Sequence, residues 1–386
     1  MTVRSTTSTE TWTELRTPSP LFWVAGILGF ITLAGVIAGI GRLILGLEAT
    51  TSLNDIYPWG IWIGFDFGLI AFAGAGFTMV AVVHLLHLER FHAALRPAIL
   101  VGLLGYVAVL ALLVLDLGRW DRFYHFILFW NVHSPLFEIS WCVLLYTTVL
   151  LIEVSPEVLR FLPWRWPLRV VAWIMPVVAI VGVTLSTLHQ STLGTLYLNM
   201  PYRLHPLWYT PFLPVLFYVS SIMAGLSLGL IAYRLAMRIV GQHEQPRVVL
   251  GLGTGVVWVA LIYAALKAAE LVWAGEWAQL LTGDQYAWLW LAEMAIGVVL
   301  PAALWFWPGL RQRSSVQWLV PLLVLSGVLM NRFDATIFAQ LFQPGATPYS
   351  PHILEWISTA GILAGVALVW MLAVKLFAGS SKEAFH

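Results

Sequence analysis

The sequence predicts an all-α polytopic membrane protein, a bundle of about ten transmembrane helices with both termini cytoplasmic. Three observations carry that expectation. Of the 386 residues, 60% are hydrophobic and 10% charged, whereas soluble domains run at about 45–50% apolar and about 25% charged. Ten segments reach the roughly 20 apolar residues needed to cross a hydrocarbon core. The basic residues fall unevenly on the two sides of those segments, as the positive-inside rule requires. The wealth of Leu, Val, Ile and Phe excludes a disordered chain. Twenty Lys+Arg against nineteen Asp+Glu leave a charge of +1, so nothing points to nucleic acid. A single cysteine, Cys142, leaves no disulfide framework, no thiolate-held iron–sulfur cluster and no Cys-based zinc site.

Residues 1–20 carry ten Ser/Thr, two Glu and two Arg. They lack the basic-then-apolar shape of a signal peptide and read as an exposed cytoplasmic tail. The first span is expected over 21–46. The second, 59–86, opens on Trp59 and Trp62, repeats Gly60, Gly64 and Gly68 as a close-packing face, and ends near His84 and His87. The third, 97–117, begins after Arg96 and ends on Asp116; the fourth, 134–153, follows His133 and carries Glu138. The fifth, 170–190, begins after Trp164, Trp166 and Arg169 and ends on His189 and Gln190. The remaining five are read as 212–234, 248–273, 286–307, 316–338 and 352–377, with 378–386 as a second cytoplasmic tail. Residues 21–377 thus form one membrane domain with short connections and no internal repeat. Interfacial tryptophans fit these limits at Trp59, Trp62, Trp120, Trp130, Trp164, Trp166, Trp305 and Trp307.

One side collects fourteen basic residues: Arg4, Arg16, Arg90, Arg96, Arg160, Arg165, Arg169, Arg234, Arg238, Arg247, Arg311, Arg313, Lys375 and Lys382. The other holds six: Arg42, Arg119, Arg122, Arg203, Lys267 and Arg332. The richer side is cytoplasmic.

An ionisable group at membrane depth costs about 2.5–3.5 kcal/mol on the insertion scale, so each needs a partner or a task. Asp66, Asp116, Glu138, Glu270, Glu293, Asp334 and Glu355 fall within spans, mostly toward the outer ends. Helices two to five bring Asp66, Asp116, Glu138, His133, His189 and Arg119 to one level near the outer face. Asp116 reads either as an ion-pair partner of Arg119 or as part of a site. Lys267 and Glu270, three apart, read as an internal ion pair, and Asp334 with Arg332 as a structural one. Glu293 and Glu355 have no partner nearby in sequence and read as supporting or proton-path groups. Glu138 stands among Phe137, Trp141 and Cys142 with no counter-charge, the setting of a group that takes and releases a proton. Tyr106, ten residues before Asp116, lies about 15 Å deeper. It reads either as a hydroxyl bonded to a neighbouring helix or, with Arg96 at the cytoplasmic mouth, as part of a polar route to Glu138. No span carries the pair of histidines about thirteen apart that a two-haem membrane cytochrome b sets on each of two helices. Single outer histidines, His125, His133, His189, His205 or His352, leave one haem open as an alternative.

Four stretches, DIYPWGIWIGFD (55–66), RPAILVGLLGY (96–106), LDLGR (115–119) with NVHSPLFE (131–138), and LHQSTLGTL (188–196), resemble the NrfD/HybB family. These are membrane subunits of periplasmic-facing hydrogenases and related respiratory complexes. The resemblance runs in order over nearly the whole chain. NRFD (331–334) with YSPHILEW (349–356) is similar to the DsrP and Hmc-type branches, which work with periplasmic multihaem cytochromes c. The resemblance implies a haem-free, quinone-reactive anchor in a bacterial or archaeal inner membrane, without an iron–sulfur cluster of its own and not catalytic alone. A periplasmic ferredoxin-like iron–sulfur subunit would dock on its outer face and exchange electrons with menaquinone or ubiquinone bound just inside. The family's proton-path residues carry over to Arg96, Tyr106 and Glu138, and its outer-face histidine to His189. Asp66 joins Glu138 and His189 as a proton relay, and His189, His133, Asp116 and Arg119 are the expected quinone pocket. Two rival readings stand beside this one: a secondary transporter using the outer carboxylates as ligands, and a purely structural anchor for a periplasmic enzyme.

Overall fold

The computed structural model describes residues 20–341 and 349–381, with side chains as far as Phe377. The tails expected over 1–20 and 378–386, with Arg4, Arg16 and Lys382, lie outside the described residues, apart from Pro20 and the backbone of 378–381, which continues the last helix. Ten helices among the described residues are long and apolar enough to span a bilayer. They are α1 (Pro20–Leu45), α2 (Ile61–Leu85), α3 (Glu89–Asp116), α4 (Pro135–Leu159), α5 (Trp166–Leu198), α6 (Leu213–Val240), α7 (Pro246–Ala274), α8 (Gln285–Phe306), α9 (Ser314–Phe338) and α10 (Ile353–Phe377). The protein is a multi-pass, all-α integral membrane protein, as its sequence predicts.

Leu21 and Ala25 at the start of α1 pack with Trp370, Met371 and Val374 at the end of α10, so the described chain enters and leaves the bundle at one end. Arg96 stands at that end and Glu138 at the opposite one. Helix α6 lies at the centre, against α2, α3, α5, α7, α9 and α10, while α4 pairs with α5 and α1 with α10 at the edges. The edges face outward with Phe22, Trp23, Phe30, Trp173 and Val177 largely exposed, as a lipid-facing surface must be.

Four limits differ from the sequence reading by six residues or more, among them the end of α6, at Val240 in place of 234. Helix α5 runs on past 190 to Leu198. The polar run Gln190–Thr195 resembles a helix end, yet its hydroxyls bond back to their own helix: Ser191 to Thr187 O at 2.8 Å and Thr195 to Ser191 O at 3.2 Å. The helix stops three residues before Pro201, which holds its predecessor out of helical geometry. Helix α3 begins before Pro97 and tolerates it near its start, where Trp370 Nε1 donates to the Pro97 carbonyl at 3.2 Å. Helix α4 continues beyond 153 to Leu159.

Three spans contain a π-helical turn, at Ala81–Leu85, Ala295–Val299 and Asp334–Phe338. Such turns insert a residue into the helical ladder and re-aim the side chains around it. The second of them holds the crossing of α8 and α9, where Gly297 and Gly327 lie backbone to backbone: a Cβ added at Gly327 would collide with the Gly297 Cα. The Gly60, Gly64, Gly68 face also packs closely, against Tyr349, Phe333 and Leu329.

That approach lets a buried ionic cluster close between α6, α7, α8 and α9. Lys267 Nζ lies 2.7 Å from both oxygens of Glu293. Tyr263 donates its hydroxyl to Glu293 Oε1 at 3.0 Å, and Asn331 donates to Oε2 at 3.2 Å. Arg332 donates to Asn331 Oδ1 and Ser220 Oγ, each at 2.6 Å, with its guanidinium 3.6 Å from the centre of the Phe217 ring. Lys267 therefore pairs with Glu293, not Glu270, because Glu270 sits higher on α7, near Thr210. Arg332 turns away from Asp334, whose Oδ2 is buried with no hydrogen bond. Glu355 is also partnered: the Tyr349 hydroxyl donates to it at 2.9 Å and the His352 N–H at 2.6 Å. The same Tyr349 oxygen accepts the Ile61 N–H that opens α2.

Two predictions follow from this packing. Gly327→Leu should separate α8 from α9 and lower the yield of folded protein sharply, because overpacking at a backbone crossing costs about 1–3 kcal/mol or more; size-exclusion of the detergent-solubilised protein reads it. Glu293→Ala should destabilise by about 3–5 kcal/mol by leaving a buried ammonium alone, whereas Lys267→Met with Glu293→Leu should recover most of that loss. Thermal unfolding of the three proteins distinguishes an unpaired charge from a mere loss of packing.

Candidate functional site

The other half of the bundle holds its polar groups differently. On α4, Glu138, Cys142, Tyr146 and Glu153 follow at intervals of four, four and seven, which places them on one face of a 3.6-residue helix. Glu138 stands in the first turn, half-buried. The Thr192 hydroxyl on α5 lies 2.7 Å from Glu138 Oε1 and 2.8 Å from its own Leu188 carbonyl, with one proton to share between them. One turn below, Cys142 is buried and free, within electrostatic reach of Glu138 and of Tyr106. The Tyr106 ring of α3 packs on Tyr146 at 4.9 Å and on His189 at 5.8 Å between centroids. Tyr106 and His189 are fully buried and Tyr146 nearly so.

Buried polar groups are hydrogen-bonded as a rule. Here the Tyr106 hydroxyl, both ring nitrogens of His189, Ser186 Oγ, Gln190 Oε1 and Asp66 Oδ1 are buried without a hydrogen-bond partner. The Tyr146 hydroxyl lies beside Ser186 and the Phe77 backbone without a well-aligned bond to either. Gln190 spends its amide on the Ile70 carbonyl at 2.7 Å, which fixes α5 to α2. The contrast with the cluster around Lys267 is chemical: the tyrosine and serine hydroxyls and the imidazole are neutral donor–acceptor groups, each able to accept a proton on one side and release one on the other.

Of the residues singled out in the sequence, Glu138, Tyr106 and His189 come together through these neighbours. Asp66 is buried on α2, within electrostatic reach of Tyr106 and Asp116. Asp116 faces Arg42 and Glu355, and Arg42 donates to the Leu117 carbonyl at 2.6 Å. Arg119 does not pair with Asp116. It is exposed and bridges Asp121 at 2.9 Å, and that bond holds the Asp121 carboxyl below its usual range. The reason is that α3 stops at Asp116, so the chain turns and carries Arg119 outward. His133 is exposed. His189 lies nine residues inside α5 because that helix runs on to Leu198, so it stands at the level of Tyr106 and not at the outer face. The four residues expected to share one quinone pocket thus occupy different environments. Arg96 is mostly exposed at the far end, 3.2 Å from Glu157, and lines a cavity of about 460 Å³.

Sequence reasoning missed Tyr146 and Thr192. The stripe at i, i+4, i+8 from Glu138 was the signal for the first. Thr192 stood within LHQSTLGTL but was read as lying past the helix end.

Above Glu138, aromatic rings crowd the mouth of the bundle: Trp130 lies 5.2 Å from Trp141 and 5.6 Å from Phe137, and Phe126 lies 6.1 Å from Trp141. Among the described residues no three His, Cys, Asp or Glu converge on a metal-sized point. His205, one of the outer histidines, stacks on Tyr286 at 4.2 Å and its Nδ1 accepts the Leu207 N–H at 3.3 Å.

Comparison with known proteins fits this arrangement. Residues 49–344 match the family described as polysulphide reductase, NrfD. A protein of Nitratidesulfovibrio vulgaris is 38% identical, over 85% of this chain and 87% of its own. The probable Ni/Fe-hydrogenase 2 b-type cytochrome subunit of Escherichia coli is 28% identical over 87% of each chain. The integral membrane subunit of a menaquinone reductase, again from Nitratidesulfovibrio vulgaris, is 27% identical over 92% of this chain and 90% of its own. With the match covering most of its length and ten spans in place, the chain belongs to the NrfD family of integral membrane proteins.

Proposed function

We propose that this chain is the quinone-reactive membrane subunit of a respiratory redox complex, passing electrons between a partner subunit and the membrane quinone pool. The observation that carries the reading is Glu138: a carboxyl with a hydroxyl donor on one side, an aromatic-lined mouth above it and a row of neutral proton-passing groups below. The names of two relatives, a menaquinone reductase subunit and, in Archaeoglobus fulgidus, an Hdr-like menaquinol oxidoreductase integral membrane subunit at 23% identity, support the same substrate class.

The residues fit a quinone headgroup on two counts. Its flat ring calls for aromatic walls, which Trp130, Phe137 and Trp141 supply at the Glu138 end. Its two oxygens call for donors and a proton source, which Thr192 and Glu138 supply. The quinone brings the redox chemistry, taking up or giving off two electrons and two protons. In this reading the chain has no electron carrier of its own: its single cysteine cannot hold an iron–sulfur cluster, and its two buried histidines, His189 and His205, have Tyr106 and Tyr286 against their rings. The b-type cytochrome in the Escherichia coli relative's name is said of that protein and is no part of the proposal. Electrons come from outside, by way of a ferredoxin-like iron–sulfur subunit or a multihaem cytochrome docked at the Glu138 end.

Glu138 is the group that exchanges protons at the reacting site, with Thr192 holding its carboxyl in place. Tyr106, Tyr146 and His189 carry protons between Glu138 and the bundle interior, and Asp66 stands on the same side of Tyr106. The fourteen-to-six excess of basic residues supports a cytoplasmic Arg96 end and a periplasmic Glu138 end, in a bacterial or archaeal inner membrane. Protons drawn from the Arg96 end to a site at the other would then move charge across the membrane with each turnover.

Glu138→Gln keeps the shape and removes the exchangeable proton. It should lower quinone turnover by about 10²-fold or more, the usual weight of a positioned acid–base group, with the complex still assembled. Unchanged turnover would take Glu138 out of the mechanism. A fluorescent quinone-analogue inhibitor should bind saturably, be displaced by menaquinone, and bind more weakly to His189→Ala. No binding to the folded protein would favour the transporter reading.

A further inference from the structure

The Arg96 end holds a cavity of about 460 Å³, space for on the order of ten waters. Its walls are mostly apolar, and its titratable groups are His84, His92, Arg96, Glu153 and Glu157. The two carboxylates differ. Glu157 is engaged by two guanidinium groups, Arg96 at 3.2 Å and Arg160 at 2.9 Å. Glu153 has neither an ion pair nor a hydrogen bond among the contacts of the described residues, and it sits half-buried where the cavity meets the helix packing.

Gly182 of α5 shows what lies behind it. A Cβ built there would meet Val149 Cγ1 at 2.9 Å, Glu153 Oε1 at 3.5 Å and Tyr146 Cε2 at 4.0 Å. The carboxyl and the tyrosine ring therefore border the same patch of α5 backbone, with Val149 between them along α4, and Glu153 lies within electrostatic reach of Tyr146. On its other side Tyr146 packs on Tyr106 at 4.9 Å. One α4 face thus runs from Glu153 at a water-sized cavity to Glu138 at the opposite mouth, fifteen residues or about 22 Å, most of a hydrocarbon core about 30 Å thick.

Resting on the quinone reading above, we infer that Glu153 is the proton-uptake residue of this protein, loading from the Arg96-end cavity and delivering to Tyr146. A proton leaves cavity water for a Glu153 carboxylate oxygen. It passes to the Tyr146 hydroxyl oxygen as that hydroxyl releases its own proton toward Tyr106, so no group gains or loses electrons and each is restored after one transfer. Arg96, tied to Glu157 at the surface, shapes the cavity mouth and carries no proton itself.

The test uses the whole complex, purified by a tag on this chain and reconstituted in proteoliposomes, with menadione as quinone and a reduced viologen dye as electron donor. Glu153→Gln should slow turnover at least tenfold with the KM for menadione unchanged and the amount of assembled complex unchanged. Glu153→Asp should recover most of the rate. The solvent deuterium isotope effect on turnover should rise in the Gln variant, and a pH dye on the Arg96 side should register slowed proton uptake. A residue that only supports packing would move assembly or KM and leave the isotope effect alone. Turnover of Glu153→Gln within twofold of wild type, beside a Glu138→Gln control that is inactive, overturns the uptake role and leaves the quinone site standing. Absence of menadione turnover in the wild-type complex overturns the quinone reading and this inference with it.

Discussion

A bilayer core solvates no ion, and that one constraint sorts every polar residue in this protein. Where charges are buried in α6 to α9, most are held by partners: Lys267 lies against both oxygens of Glu293, with Tyr263 and Asn331 completing the carboxylate, while Asp334 keeps one oxygen without a hydrogen bond. The polar atoms buried in α2 to α5 are mostly neutral hydroxyls, an imidazole, an amide and a thiol, with Asp66 and Asp116 as the carboxyls among them, and several lack partners. The first arrangement costs much to disturb and has little reason to move a proton, since each hydrogen bond already ends on a charge. The second is cheaper to bury group by group and leaves lone pairs and protons unspent. The two halves of one bundle thus divide labour, the saturated cluster fixing the helices and the unsaturated row remaining available for chemistry.

The division also explains what could be read from the sequence. Spans were legible because length and apolarity are local properties, and nine of the ten helix starts fall within four residues of the reading, α3 being set back by a tolerated proline. Partners were not legible. Lys267 reaches 26 residues to Glu293 and Arg42 reaches 75 to Leu117, whereas the pairings expected, Lys267 with Glu270 and Asp116 with Arg119, were drawn from neighbours three apart. Proximity in sequence was a poor guide because Glu270 and Arg119 lie toward the helix ends, where water competes for them, while the deep charges can be satisfied only across helices.

The site was half legible. Glu138 and Tyr106 could be found by asking which buried groups had no local partner. His189 was found but misplaced, since Gln190, Ser191 and Thr192 look like an exit from the membrane and are in fact three more residues of helix whose hydroxyls bond inward. A polar run ends a span only if its side chains cannot satisfy themselves on the helix, and Ser and Thr can.

The α4 face shows the physical logic of the proposed route. An ionised group at mid-membrane would cost about 2.5–3.5 kcal/mol on the insertion scale, so a path of carboxylates across the bundle would be expensive at every step. Here the two carboxyls stand at the ends, Glu138 beneath the aromatic mouth and Glu153 at the cavity, each near enough to water to carry charge. Between them lie Cys142 and Tyr146, with Tyr106, Ser186 and His189 beside them. On the proposed route these groups pass protons while remaining neutral before and after each transfer. On the α4 face the carboxyls thus sit where the surroundings can solvate them, and the low-dielectric stretch between them holds groups that need never carry a charge for long.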